Sequence, residues 1–157
     1  MKTTTSERPA VDSFEIAKEV EIAAPIDIAF EAVLDQLGAE SQMPGGKPFP
    51  MVIEPWPGGR WYRDLGGNAG HLWGHVQVIK PPTLLEICGP LMMSVPAMNH
   101  LQYRLKSDGG VTRLQFVHRS VGLVQPEFRD GLLEGWSYWL ERIADLAEGR
   151  HGKGRRT

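Results

Sequence analysis

The stretch from Pro126 to Glu148 constrains this chain more than any other. Phe128, Leu132, Trp136, Trp139, Leu140, Ile143 and Ala147 recur at the spacing of one helical face. A helix of about 23 residues is roughly 35 Å long. With two tryptophans on its apolar stripe it needs a broad apolar partner of similar length, and the rest of the chain must supply it.

The preceding residues supply strands. In FEIAKEVEIA, Phe14, Ile16, Val20 and Ile22 alternate with Glu15, Glu19 and Glu21, the signature of a half-buried strand. IDIAFEAVLDQL follows Pro25 with Ile26, Phe30, Val33 and Leu37 at helical spacing and Asp27 near the positive helix start, so a first helix ends at Gly38. Residues 38–50, rich in Gly and Pro, leave room for a short helical turn at most. MVIEP and RWYRDL flank the turn WPGG, and GGNAG separates RWYRDL from HLWGHVQVIK. KPPT then breaks the pattern before LLEICG, and NHLQYRLK and VTRLQFVHRSV flank SDGG as a hairpin. The expected fold is α+β: a curved antiparallel sheet of about six or seven strands wrapped around a long C-terminal helix. One domain is expected over residues 14–149, after a flexible lead (1–13) and before a basic disordered tail (150–157).

At 157 residues such a domain can bury a core unaided. The single cysteine, Cys88, excludes an internal disulfide and fits a reducing compartment. No apolar run approaches the ~20 residues of a membrane span and the N-terminus carries no apolar leader, so a cytoplasmic location is expected. The net charge of -2 conceals an acidic body, because Arg150, Lys153, Arg155 and Arg156 crowd the last eight residues. An acidic body argues against a nucleic-acid partner.

Five segments in order resemble the START-like, polyketide-cyclase and Bet v allergen superfamily. Within it the closest resemblance is to the branch named for the activator of the ninety-kilodalton heat-shock chaperone's ATPase. They are EIAAPIDIAFEAV, PWPGGRW, GHVQVIKPPTLLEI, GGVTRLQFVHR and EGWSYWLERIADL, spread over about residues 14–148. The resemblance implies a helix-grip fold whose sheet and terminal helix enclose a cavity for hydrophobic or aromatic small molecules. Some members are cyclases or aromatases, but the family has no universal catalytic motif to carry over, and fold alone does not fix function.

A cavity of that kind would be walled here by aromatic and thioether side chains. The five tryptophans are the natural walls, with Trp136 and Trp139 foremost and Trp61 and Trp73 beside them. Leu132 shares the helical stripe, and Met92, Met93 and Met98 stand in a loop that could close over a ligand. His118 shares strand parity with Leu114 and Phe116, so it points inward as the expected polar contact, against the alternative of a core histidine satisfied by a neighbour. Parity puts Trp73 and His75 on one face and Val76 and Val78 on the other, without saying which is inside.

Arg63 is expected to be exposed; inward, it would need an acidic ligand group or Glu54. His71 and His75 lie about 13 Å apart along a strand, too far to share a metal. Cys88 reads as a buried small hydrophobe. GGNAG lacks the spacing of a phosphate or dinucleotide loop, and neither G-x-S-x-G nor H-E-x-x-H occurs. No metal, cofactor or catalytic residue is therefore assigned. The leading expectation is a carrier or sensor module for a hydrophobic small molecule. The alternatives are a cyclase, aromatase or dehydratase acting on a polyketide-like substrate, and a chaperone- or protein-interaction module with a filled core and an exposed apolar patch. Sheet edges could also pair two copies into a homodimer.

Overall fold

The structure is a computed structural model and describes residues 1–4 and 8–154. Seven strands form one antiparallel sheet: β1 (Asp12–Ile22), β4 (Val52–Ile53), β5 (Arg60–Gly66), β6 (Ala69–Lys80), β7 (Leu84–Gly89), β8 (Ala97–Asp108) and β9 (Val111–Gly122). Their spatial order is β1-β9-β8-β7-β6-β5-β4, so successive hairpins build the sheet and β1 closes one edge against β9. Helix α1 (Ile26–Leu37) and a small ribbon of β2 (Gln42–Met43) and β3 (Lys47–Pro48) interrupt the meander, and α2 (Pro126–Gly154) ends it. This is the helix-grip arrangement expected. Residues 38–50 hold a turn over 38–41, within the short turn that their Gly and Pro content allows, and then the β2–β3 ribbon, which local patterning does not record.

Alternation sets the inner face. On β8 and β9, Leu101, Tyr103, Leu105, Leu114 and Phe116 are almost wholly buried, while Arg104, Lys106, Arg113 and Gln115 between them face water. Against this face α2 lays Leu132, Trp136, Trp139, Leu140, Ile143, Ala144 and Ala147. Helix α1 packs beside α2, with Phe30, Val33 and Leu37 in the same core. No helix among the described residues is long and apolar enough to cross a membrane.

The two ends of α2 differ in how they are held. At the C-terminal end Glu148 accepts the Ala23 backbone N–H at 3.0 Å, and Arg150 pairs with Asp35 of α1 at 2.6 Å. Arg150 therefore continues the helix, which runs to Gly154; a cation in the last turns suits the negative end of the helix dipole. The expected tail boundary at residue 150 falls inside α2, and residues 155–157 lie outside the described residues. Likewise β1 begins at Asp12, inside the expected lead.

The undecided faces of β6 are resolved by bulges. Trp61 pairs with Gly74 but Tyr62 with Leu72, so Trp73 is an extra residue, and Trp73 and Val76 both turn inward while His75 is exposed. Backbone crowding permits this only with glycine: a Cβ on Gly74 would lie 2.8 Å from the Cys88 carbonyl oxygen, and one on Gly89 2.4 Å from the Gly74 Cα. Cys88 faces outward, half-buried, with its Sγ 3.3 Å from the Met98 Sδ, and so is not the buried core residue expected.

Candidate functional site

A cavity of about 370 Å³ opens between the N-terminal half of α2 and the elements facing it. The helix contributes Phe128, Leu132, Trp136 and Trp139. Trp73 of β6 forms a second wall, Met43 and Pro44 of the ribbon form a roof, and Met92 reaches in from the β7–β8 loop. Gly131 and Gly135 complete the helix wall, one turn apart, and a Cβ built on either meets nothing within 4 Å. Part of the cavity is thus the space that two absent side chains leave. A glycine inside a helix costs about 1 kcal/mol relative to alanine, so this opening is made at the helix's expense.

An aromatic row backs the cavity. The Trp73 and Trp139 rings are nearly parallel, 5° between planes with centroids 6.2 Å apart, an offset stack. Trp61 meets both edge-on, and Trp136 meets Trp139 edge-on at 5.5 Å. Phe116 and Tyr103 extend the row into the sheet, and Phe49 extends it toward the ribbon. Such rings form a stiff apolar wall, since few rotatable bonds need freezing when something binds against them.

Polar atoms in the row are mostly engaged. Trp61 donates its indole N–H to the Leu37 carbonyl at 2.7 Å, which fastens the sheet to the end of α1. Trp136 donates to Nδ1 of His118 at 3.0 Å. An indole nitrogen can only donate, so Nδ1 must be the unprotonated nitrogen and the His118 proton sits on Nε2. That N–H meets Asn99 Oδ1 at 2.8 Å, and Asn99 donates onward to the Pro90 carbonyl at 3.3 Å. Burial pushes the His118 pKa down to about 4, so the ring is neutral near pH 7.

His118 is therefore the satisfied core histidine, not the expected ligand contact. Both its nitrogens are engaged away from the cavity, and its action on the site is to fix the angle of Trp136. Through Asn99 it also ties that wall to the loop carrying Met92.

The expected site residues separate into layers. Trp73, Leu132, Trp136 and Trp139 border the cavity. Trp61, Phe116, His118 and Met93 lie behind it, each at most 3% exposed. Met98 is 55% exposed on the outer face of β8 beside Cys88, because the strand begins at Ala97 and parity turns Met98 outward; it is no lid. Trp56 is also exposed. Sequence reasoning passed over Met43, Pro44, Gly131 and Gly135, although the G-x-x-x-G spacing on an amphipathic helix could have signalled a withdrawn face.

Among the residues lining the cavity, Glu127 at its mouth is the only one with an ionisable side chain. The arrangement can exclude water and hold an apolar body; it does not converge an acid and a base on one point.

No protein-family model matches this sequence, and no curated protein matches it. Its structure is similar to that of an uncharacterised protein from Rhizobium leguminosarum, with 17% identity, TM-score 0.69, and coverage of 90% of this chain and 98% of the other. CalU16 from Micromonospora echinospora shares 18% identity over 93% of this chain and 88% of its own, with TM-score 0.60. DynU16, from the dynemicin biosynthetic locus, shares 20% identity over 85% of this chain but only 47% of its own, with TM-score 0.64. At these identities the likeness establishes a common fold, a curved sheet gripping a terminal helix, and nothing finer.

Proposed function

We propose that this protein binds an apolar, partly aromatic small molecule in the cavity between the β2–β3 ribbon, Trp73 and the N-terminal half of α2, as a carrier or sensor module. The observation that carries this reading is the cavity itself: about 370 Å³, walled by aromatic and aliphatic side chains and widened by Gly131 and Gly135. A chain selected for stability alone would place alanine or a larger residue at both positions. A chaperone- or protein-interaction module, by contrast, predicts a filled core and an exposed apolar patch in place of such a cavity. The fold shared with DynU16 is compatible with a polyketide-related ligand, since that protein comes from the dynemicin biosynthetic locus. A cyclase or dehydratase would need a titratable pair in the cavity, and the lining offers Glu127 alone.

Native mass spectrometry of the purified protein, followed by tryptophan-fluorescence titration with a panel of aromatic hydrophobes, tests the reading. Saturable quenching is expected in the wild type and is abolished in Gly135→Leu, whose side chain would occupy the cavity without displacing its walls. Absence of any copurified mass and of any response across the panel, from a folded protein, would overturn it.

A further inference from the structure

One end of the aromatic row gathers donors that lack acceptors. Arg63 of β5 pairs in register with His71 of β6, and it shares strand parity with the buried Trp61, so it faces the concave side. It is half-buried and inward, contrary to the sequence expectation of an exposed arginine. Its guanidinium carbon lies 3.6 Å from the centroid of the Phe49 ring. Phe49 in turn sits 5.9 Å from Trp73, and His71 meets Trp73 edge-on at 6.2 Å.

No carboxylate among the described residues pairs with Arg63. Glu54, the acid that sequence reasoning offered it, is held by Arg60 instead, at 2.8 Å and 3.0 Å. Arg63 Nη1 and the indole Nε1 of Trp73, a side chain only 5% exposed, are both buried without a hydrogen-bond partner. A buried donor left unpaired costs more stability than an ordinary hydrogen bond returns. Two of them, on side chains bridged by one phenyl ring, mark a place where an acceptor belongs. Phe49 follows directly on the ribbon whose Met43 and Pro44 roof the cavity, and Trp73 both borders the cavity and meets Phe49, which stacks on Arg63.

We propose that the ligand is an organic anion: an apolar body lodged against Trp139, Leu132 and Phe128, and a carboxylate received by Arg63 Nη1 and Trp73 Nε1, with His71 alongside. The planar guanidinium, already stacked on Phe49, is suited to the two oxygens of a carboxylate. This rests on the cavity-binding reading above and adds to it the charge of the ligand and the residues that read it.

Isothermal titration calorimetry with 2-naphthoate and 2-naphthamide, equal in shape and different in charge, separates the two claims. The wild type is expected to prefer the anion by about tenfold or more, a margin that shrinks with added salt. Arg63→Met keeps an apolar contact on Phe49 and is expected to lose the preference while binding the amide as before. Arg63→Lys, which retains the charge without the planar fork, is expected to keep a reduced preference. Equal affinity of the wild type for both probes, or a preference that survives in Arg63→Met, would leave Arg63 as a stacking anchor for Phe49 and overturn the proposal while sparing the cavity. Failure of the wild type to bind either probe would overturn both.

Discussion

The two halves of α2 obey the same helical period and meet opposite fates. From Leu140 to Ala147 the inward residues are closed upon by α1 and the sheet, and Glu148 and Arg150 fasten that end by polar contacts. From Phe128 to Trp139 the same stripe fronts a cavity, Phe128 is 39% exposed, and Gly131 and Gly135 stand beside the stripe with nothing within 4 Å of a Cβ built on either. The contrast teaches that amphipathic periodicity reports which face turns inward, whereas residue volume decides whether that face is filled. In this helix one half anchors the fold and the other fronts the cavity.

The sharpest way to break this contrast is to remove equivalent bulk from each half. Ile143→Ala in the closed half should cost about 3–4 kcal/mol, and Leu132→Ala at the cavity wall only about 2, because fewer neighbours lose contact where space already exists. Urea unfolding of both variants measures the difference, and equal losses would mean that the open half is packed as tightly as the closed one.

Next in size is the joint between the wall and the sheet. The folded pKa of His118, about 4, lies below its ordinary value of 6.5, so between these values the unfolded chain binds the extra proton. Stability linked to neutral His118 is therefore complete above about pH 6.5 and lost as pH falls to about 4, amounting to about 3 kcal/mol. Unfolding free energies measured stepwise across that window should show this slope in the wild type and a flatter one in His118→Gln. Parallel slopes would remove burial of a neutral imidazole as the cause.

The smallest effect has the opposite sign. Gly135→Ala should stabilise the protein by about 1 kcal/mol through helix propensity, raising Tm by a few degrees, whereas Ala144→Gly in the closed half should cost at least as much. A destabilising Gly135→Ala would show that the space beside this glycine is not free.

Much of the architecture was legible in the sequence because it is written in period: alternation for β1, β8 and β9, helical spacing for α1 and α2, and Gly or Pro turns between. What escaped depended on contacts between distant segments. The bulge that turns both Trp73 and Val76 inward follows from the close approach of Gly74 and Gly89, which no local pattern records. Parity placed His118 inside, but its silence toward the cavity follows from Asn99 and Trp136, one a strand away and the other on the helix. The bland expectation for Arg63 failed because Phe49, which gives its guanidinium a face to stack on, follows the β2–β3 ribbon, whose pairing no local pattern over residues 38–50 records.

The pairing of β1 with β9 bears on how the chain acquires its shape. Asp12 is partnered by Gly122 and Ile22 by Thr112, so the first strand finds its place only after almost every other strand exists, and α2 follows later still. Contacts of such long range slow folding, because loop-closure entropy is spent before they form. Until β9 is made, β1 lacks its partner strand, and Ile16 and Ile22 stay uncovered on the growing chain. The glutamates at 15, 19 and 21 on its other face then act as charge guards against pairing with the wrong edge.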